Sequence, residues 1–71
     1  MMYNSRYWKI VYSNGNQKVL AVAEMDDTDE YDYDIASRQS FLCEDTAYEY
    51  MIELAGNTGL SYKRKKNDFL D

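Results

Sequence analysis

Six carboxylates fall within nine residues of this chain, Asp26, Asp27, Asp29, Glu30, Asp32 and Asp34, with Tyr31 and Tyr33 set among them. Side chains of that kind at that density could do one of three things. They could chelate a hard cation, supply a carboxylate pair for acid–base chemistry, or present a run of negative charge to a basic surface. The calcium reading is poor, because the EF-hand pattern fails in this stretch. Counted from Asp27, Asp29 fits, but Tyr31 stands where an Asp or Asn belongs and Asp32 replaces the glycine of the sharp turn. Acid–base catalysis needs two carboxylates set apart from the rest by their surroundings, and no two are singled out here. The chain has no histidine and no nucleophile–base motif or phosphate-cradling glycine loop. An enzyme is therefore not expected, and neither is a cofactor or a metal.

The third possibility has a scale. If extended, Asp26 to Asp34 would span roughly 30 Å at about 3.3 Å per residue, so its carboxylates would lie roughly 5 Å apart. Phosphates along one DNA strand are spaced by about 3.4 Å. The two densities are of one order. Tyrosine faces among the acids add rigid contact area on which arginine can stack. Asp45, Glu49 and Glu53 form a second acidic stripe, and if it faces the same way the two make one anionic surface. The plain alternative is a solvated acidic loop that keeps a small domain soluble.

Charge is unevenly distributed. Residues 24–53 hold eleven of the thirteen acids and a single base, Arg38, a net −10, whereas the remainder carries seven bases and two acids, a net +5. A field of this sign repels nucleic acid and anionic lipid and steers basic protein surfaces inward. Direct DNA binding and membrane association are not expected. The Lys63-Arg64-Lys65-Lys66 run, with Tyr62 and Trp8 as stacking groups, could touch nucleic acid, but it serves more simply as a complement to the protein's own acids.

Cys43 is the only cysteine, so an internal disulfide and a thiolate metal site are excluded. A lone thiol fits a reducing compartment, and the opening residues MMYNSRYWK show no secretory pattern. A cytoplasmic protein is expected, with Cys43 as a buried, inert thiol. At 71 residues the chain makes one small domain over 1–71, and its 15% aromatic content argues against disorder.

The elements that position these residues follow from pattern. Residues 6–13 and 17–25 are β-rich and flank Asn14-Gly15-Asn16, a strong hairpin signal. Alternation puts Trp8, Ile10 and Tyr12 on the core face and Tyr7, Lys9 and Val11 on the other. An even loop sets Val19, Ala21 and Ala23 beside that core face, and an odd loop with a bulge sets Leu20 and Val22 there, with more burial. Residues 31–35 read as a short edge strand, or as a helical turn capped by Asp27 or Thr28, with the strand favoured. Residues 36–40 read as connecting loop.

Residues 44–56 carry helical spacing through Ala47, Tyr50, Met51 and Leu54, with Gly56 or Asn57 as the stop. Residues 60–66 form a last strand with Leu60 and Tyr62 inward, and Phe69 and Leu70 hold the tail. The expected fold is α+β, in the order β-β-(β)-α-β: an antiparallel sheet of three to four strands built on the N-terminal hairpin, with one helix on one face.

Taken together, the MDDTDEYDYD and EDTAYEYMIEL segments in a very short, histidine-free acidic chain resemble the small inhibitors encoded by phages and mobile elements. Anti-CRISPR and anti-restriction proteins of the DNA-mimic type are the examples. The resemblance covers under half the chain and is one of class, so it transfers no functional residue. It implies a protein-binding inhibitor acting in the host cytosol, whose partner is the basic surface of a nucleic-acid-binding protein or defence complex. The expected partner-binding residues are Asp26, Asp27, Asp29, Glu30, Tyr31, Asp32, Tyr33, Asp34, Asp45, Glu49 and Glu53. Two other readings stay open. One is an anionic-nucleotide sponge or sensor with a pocket of Tyr48, Ile52 and the 63–66 bases; the other is a homodimer through Tyr48 and Ile52.

Overall fold

The computed structural model describes residues 6–13 and 16–64. Within them lie four strands, one 3₁₀ turn and one α-helix: β1 (Tyr7–Ser13), β2 (Asn16–Met25), the 3₁₀ turn Asp29–Asp32, β3 (Ile35–Phe41), α1 (Glu44–Thr58) and β4 (Ser61–Tyr62). Asn14, Gly15, the last two bases of the 63–66 run, Phe69 and Leu70 lie outside the described residues. The sheet order is β3-β1-β2-β4. The fold is thus a small α+β domain on a four-stranded sheet.

The hairpin takes the bulged register. Ile10 pairs with Val22 and Tyr12 with Leu20, and the register then shifts between Tyr12 and Ser13 so that Ser13 meets Asn16. Leu20 and Val22 thereby join Trp8, Ile10 and Tyr12 against the helix, while Ala21 and Ala23 go to the other face. Leu20 and Val22 set seven side-chain carbons on the helix side against five for Val19, Ala21 and Ala23, and the two extra, at about 0.8 kcal/mol each, favour this parity by about 1.6 kcal/mol. Ile10, Leu20, Ala47, Met51 and Ala55 form the buried centre, with Trp8, Phe41, Tyr50 and Leu54 packed around it. The rings of Phe41 and Tyr50 meet at 5.2 Å.

Two expectations about the middle of the chain are overturned. Residues 31–35 are not a strand: a 3₁₀ turn ends at Asp32, and the strand starts at Ile35 and runs through residues 36–40, the expected loop. Polar side chains hide this strand because it is an edge whose Arg38, Gln39 and Ser40 face solvent. Its pairing with β1 joins Trp8 to Phe41 and Lys9 to Ser40, then shifts so that Val11 meets Ile35. Four residues of β3, 36–39, therefore stand opposite Ile10 alone, and the excess forms a bulge.

The sheet is mixed rather than purely antiparallel. β4 lies parallel to β2, with Val19 beside Ser61 and Leu20 beside Tyr62, and the Lys63 N–H donates to the Leu20 carbonyl at 2.8 Å. The helix explains the direction. It carries the chain from the β3 edge to the β4 edge, and such a crossover returns the next strand parallel to the one before it. β3 already runs parallel to β2, because each is antiparallel to β1. Leu60 packs on the core as expected, but Tyr62 is 37% exposed.

The helix also runs past its expected stop. Gly56 and Asn57 lie within it, and it ends at Gly59, whose φ of 78° is left-handed and allows the Gly59 N–H to donate to the Ala55 carbonyl at 2.8 Å. Gly56 is exposed, and a Cβ added there would meet nothing within 4 Å. Gly56→Ala should therefore stabilise the protein by about 0.5–1 kcal/mol, measurable as a higher urea midpoint at unchanged m-value. Of α1's ends, the first is the weaker, since its cap position holds Cys43, whose sulfur is a poorer acceptor for the first N–H groups than the oxygen of Ser, Thr or Asp.

Candidate partner-binding surface

Alternation along β1 sends Tyr7, Lys9 and Val11 away from the helix, and these residues organise the acids. Asp26, directly after β2, is buried, and its Oδ1 accepts the N–H groups of Thr28 at 2.9 Å and Asp29 at 2.8 Å. The carboxylate takes the place of a helix cap and tightens the chain into the 3₁₀ turn, which Thr28 precedes without capping it through its side chain. The Glu30 N–H donates to the Asp26 carbonyl at 3.1 Å. The acidic segment is therefore a compact lobe folded onto the sheet, not the extended ribbon whose spacing was compared with DNA.

Three side chains of the N-terminal strand region clasp that lobe. Arg6 lies 3.3 Å from Asp29, 3.5 Å from Asp26 and 3.7 Å from Glu24. The Tyr7 hydroxyl sits 2.9 Å from Glu30 Oε1 and 3.0 Å from Asp27 Oδ1, with one proton to share between them. Lys9 is 6% exposed, and its ammonium donates to the Arg38 carbonyl at 2.8 Å, with Gln39 O at 3.5 Å and Glu30 Oε2 at 3.9 Å. The bulge in β3 thus has a use: its carbonyls face inward and solvate a buried cation.

Desolvation, then the hydrogen bonds to Glu30 and Asp27, push the Tyr7 phenol well above its ordinary value. A raised folded-state value means that the protonated phenol stabilises the fold below the unfolded value of about 10, and that this contribution disappears as pH climbs through the folded one. Melting temperature should accordingly fall as pH rises above about 10, and Tyr7→Phe should flatten that fall. Thermal melts across the alkaline range test both.

The clasp does not neutralise the lobe. Of its seven carboxylates, Glu24 included, Arg6 and Lys9 pair with four, Glu24, Asp26, Asp29 and Glu30, so among the described residues two positive charges offset only part of the negative charge. Asp32 and Asp34 carry no ion pair among the described residues, and Tyr31 and Tyr33 stand 91% and 40% exposed beside them. Next to this wall a groove of about 620 Å³ opens on the sheet. Val11, Ala21 and Ala23 line its floor, and Lys63 borders it too.

Eight of the expected partner-binding residues, Asp26, Asp27, Asp29, Glu30, Tyr31, Asp32, Tyr33 and Asp34, are therefore brought together. Asp45, Glu49 and Glu53 are not with them, since α1 packs on the opposite sheet face through Ile10 and Leu20. Tyr48 rests against the core, Ile52 is 47% exposed, and Lys63 borders the groove on the sheet face away from α1. Cys43 is exposed rather than buried, and the N–H groups of Thr46 and Asp45 lower its thiol's pKa. Among the described residues no cluster of side chains is arranged to hold a metal ion, and no helix is long and apolar enough to cross a membrane.

Pattern reading missed Arg6, Tyr7, Lys9 and Glu24 as parts of the lobe. The only signal was the polar character of Tyr7 and Lys9 on the face away from the core. Compared with protein-family models, curated proteins and solved structures, the chain matches none of them.

Proposed function

We propose that this chain is a non-enzymatic protein-binding module that occupies a basic, nucleic-acid-binding surface by charge mimicry. The observation that carries the reading is the lobe itself, in which a folded clasp holds surplus negative charge beside two exposed tyrosines. Folding a 71-residue chain so that carboxylates crowd together costs electrostatic energy. The exposed rings of Tyr31 and Tyr33 add uncovered apolar surface, which interfaces favour. A partner with spaced cations relieves both. Asp26 and Asp29 build the turn, Asp27 and Glu30 flank it, and Tyr31, Asp32, Tyr33 and Asp34 make the contact. Asp45, Glu49 and Glu53 act at a distance, adding to the field that draws a basic partner in. A module of this kind would work in the cytoplasm as an inhibitor, like the phage-encoded anti-CRISPR and anti-restriction proteins it resembles.

Affinity capture from a bacterial lysate tests the reading. The tagged chain should retain basic proteins at low salt and release them at high salt, because screening removes the attraction. Retention of no basic protein at low salt would overturn it.

A further inference from the structure

The groove beside Tyr31–Asp34 has features that a diffuse negative field does not need. Its floor is apolar and low, because Ala21 and Ala23 stand where larger side chains would fill the space. Its wall alternates phenol rings with carboxylates that make no ion pair among the described residues, although Glu24, Asp26, Asp29 and Glu30 close by are served by Arg6 and Lys9. The wall is also set in place before any partner arrives, through the Asp26 bonds to Thr28 and Asp29 and the Tyr12 N–H donated to the Asp34 carbonyl at 2.8 Å. A planar cation with apolar faces fits this combination. A guanidinium stacks on tyrosine, donates from its edge to carboxylates and lays its methylene stem on an apolar floor. An ammonium satisfies only the charge. Lys63 on the groove border repels a second cation, which favours a single arginine over an unbroken basic run.

We propose that this groove receives one arginine side chain from an extended segment of the partner protein, an anchor that rests on the binding reading above. The test is a titration of the full chain, followed by backbone amide shifts, with acetyl-Gly-Arg-Gly-amide and with its lysine counterpart. The arginine peptide should move the amides of Ala21, Ala23 and Tyr31 to Asp34, and should do so at about tenfold lower concentration than the lysine peptide. Tyr31→Ala with Tyr33→Ala should erase that preference at unchanged fold. Equal responses to the two peptides, shifts centred on Glu49 and Glu53, or no response would each overturn the arginine groove. If basic proteins are still captured at low salt in that event, the charge reading survives without this anchor; if none is captured, both fall.

Discussion

The triple variant Tyr31→Ala, Asp32→Lys, Asp34→Lys should lose binding to a captured basic partner by at least about a hundredfold, the equivalent of about 2.7 kcal/mol, while its melting temperature stays within a few degrees of the parent. Both halves follow from geometry. Asp32 and Asp34 make no side-chain ion pair among the described residues, and the Tyr31 ring is exposed, so the fold draws little from them. A partner bound as proposed above would draw the most, since turning two attractive charges into repulsive ones costs several kcal/mol at an interface. Glu49→Lys with Glu53→Lys changes the net charge of the molecule by the same amount as the two lobe reversals. Lying on the opposite layer, that pair should slow association and leave most of the affinity. Calorimetry of unfolding beside a binding isotherm for each variant separates the two effects.

Removing Lys9 should do the reverse, harming the fold first. Lys9→Ala deletes the donor to the Arg38 carbonyl, strips Glu30 of its cation and takes away a buried aliphatic stem. Leaving the part-buried Arg38 acceptor unmade costs about 1 kcal/mol, the low end of the range for an unpaired acceptor, and the lost stem adds to it, for about 2–3 kcal/mol in all. Glu30 is one-third exposed, so the ion pair itself adds little. Against a total stability of about 4–10 kcal/mol for a chain of this length, that is a large share. Urea unfolding should show it, and Lys9→Met should recover the stem's part but not the carbonyl's. A change under about 0.5 kcal/mol, within the range of ordinary surface substitutions, would mean that the bulge holds its shape without the ammonium.

The sequence made some of this legible and left other parts hidden, for physical reasons. The hairpin could be read because Asn14-Gly15 separates two β-rich runs. Its parity could not, because Leu20/Val22 and Ala21/Ala23 both alternate correctly, and a bulge at Tyr12/Ser13 decides between them. β3 escaped because an edge strand with a bulge keeps no alternation; its Arg38 and Gln39 carbonyls are satisfied by a lysine some thirty residues earlier. The parallel β4 is two residues long, and its direction follows from the crossover rather than from its own residues. For the lobe, composition revealed the acids and the tyrosines. What remained invisible was which acids are spoken for, since Arg6, Tyr7 and Lys9 reach them only once β1 and β2 are paired. That distinction separates Asp26 and Asp29, which build the lobe, from Asp32 and Asp34, which make no ion pair among the described residues.

The most direct measurement is a competition on the partner recovered by low-salt capture. Duplex DNA is added to the preformed complex, and the mass of the released and retained species is followed. Mimicry predicts mutual exclusion: DNA displaces the chain from the partner in proportion to its concentration, and the chain in excess displaces DNA. A stable ternary complex, with DNA and this protein bound to the partner together, would contradict the account.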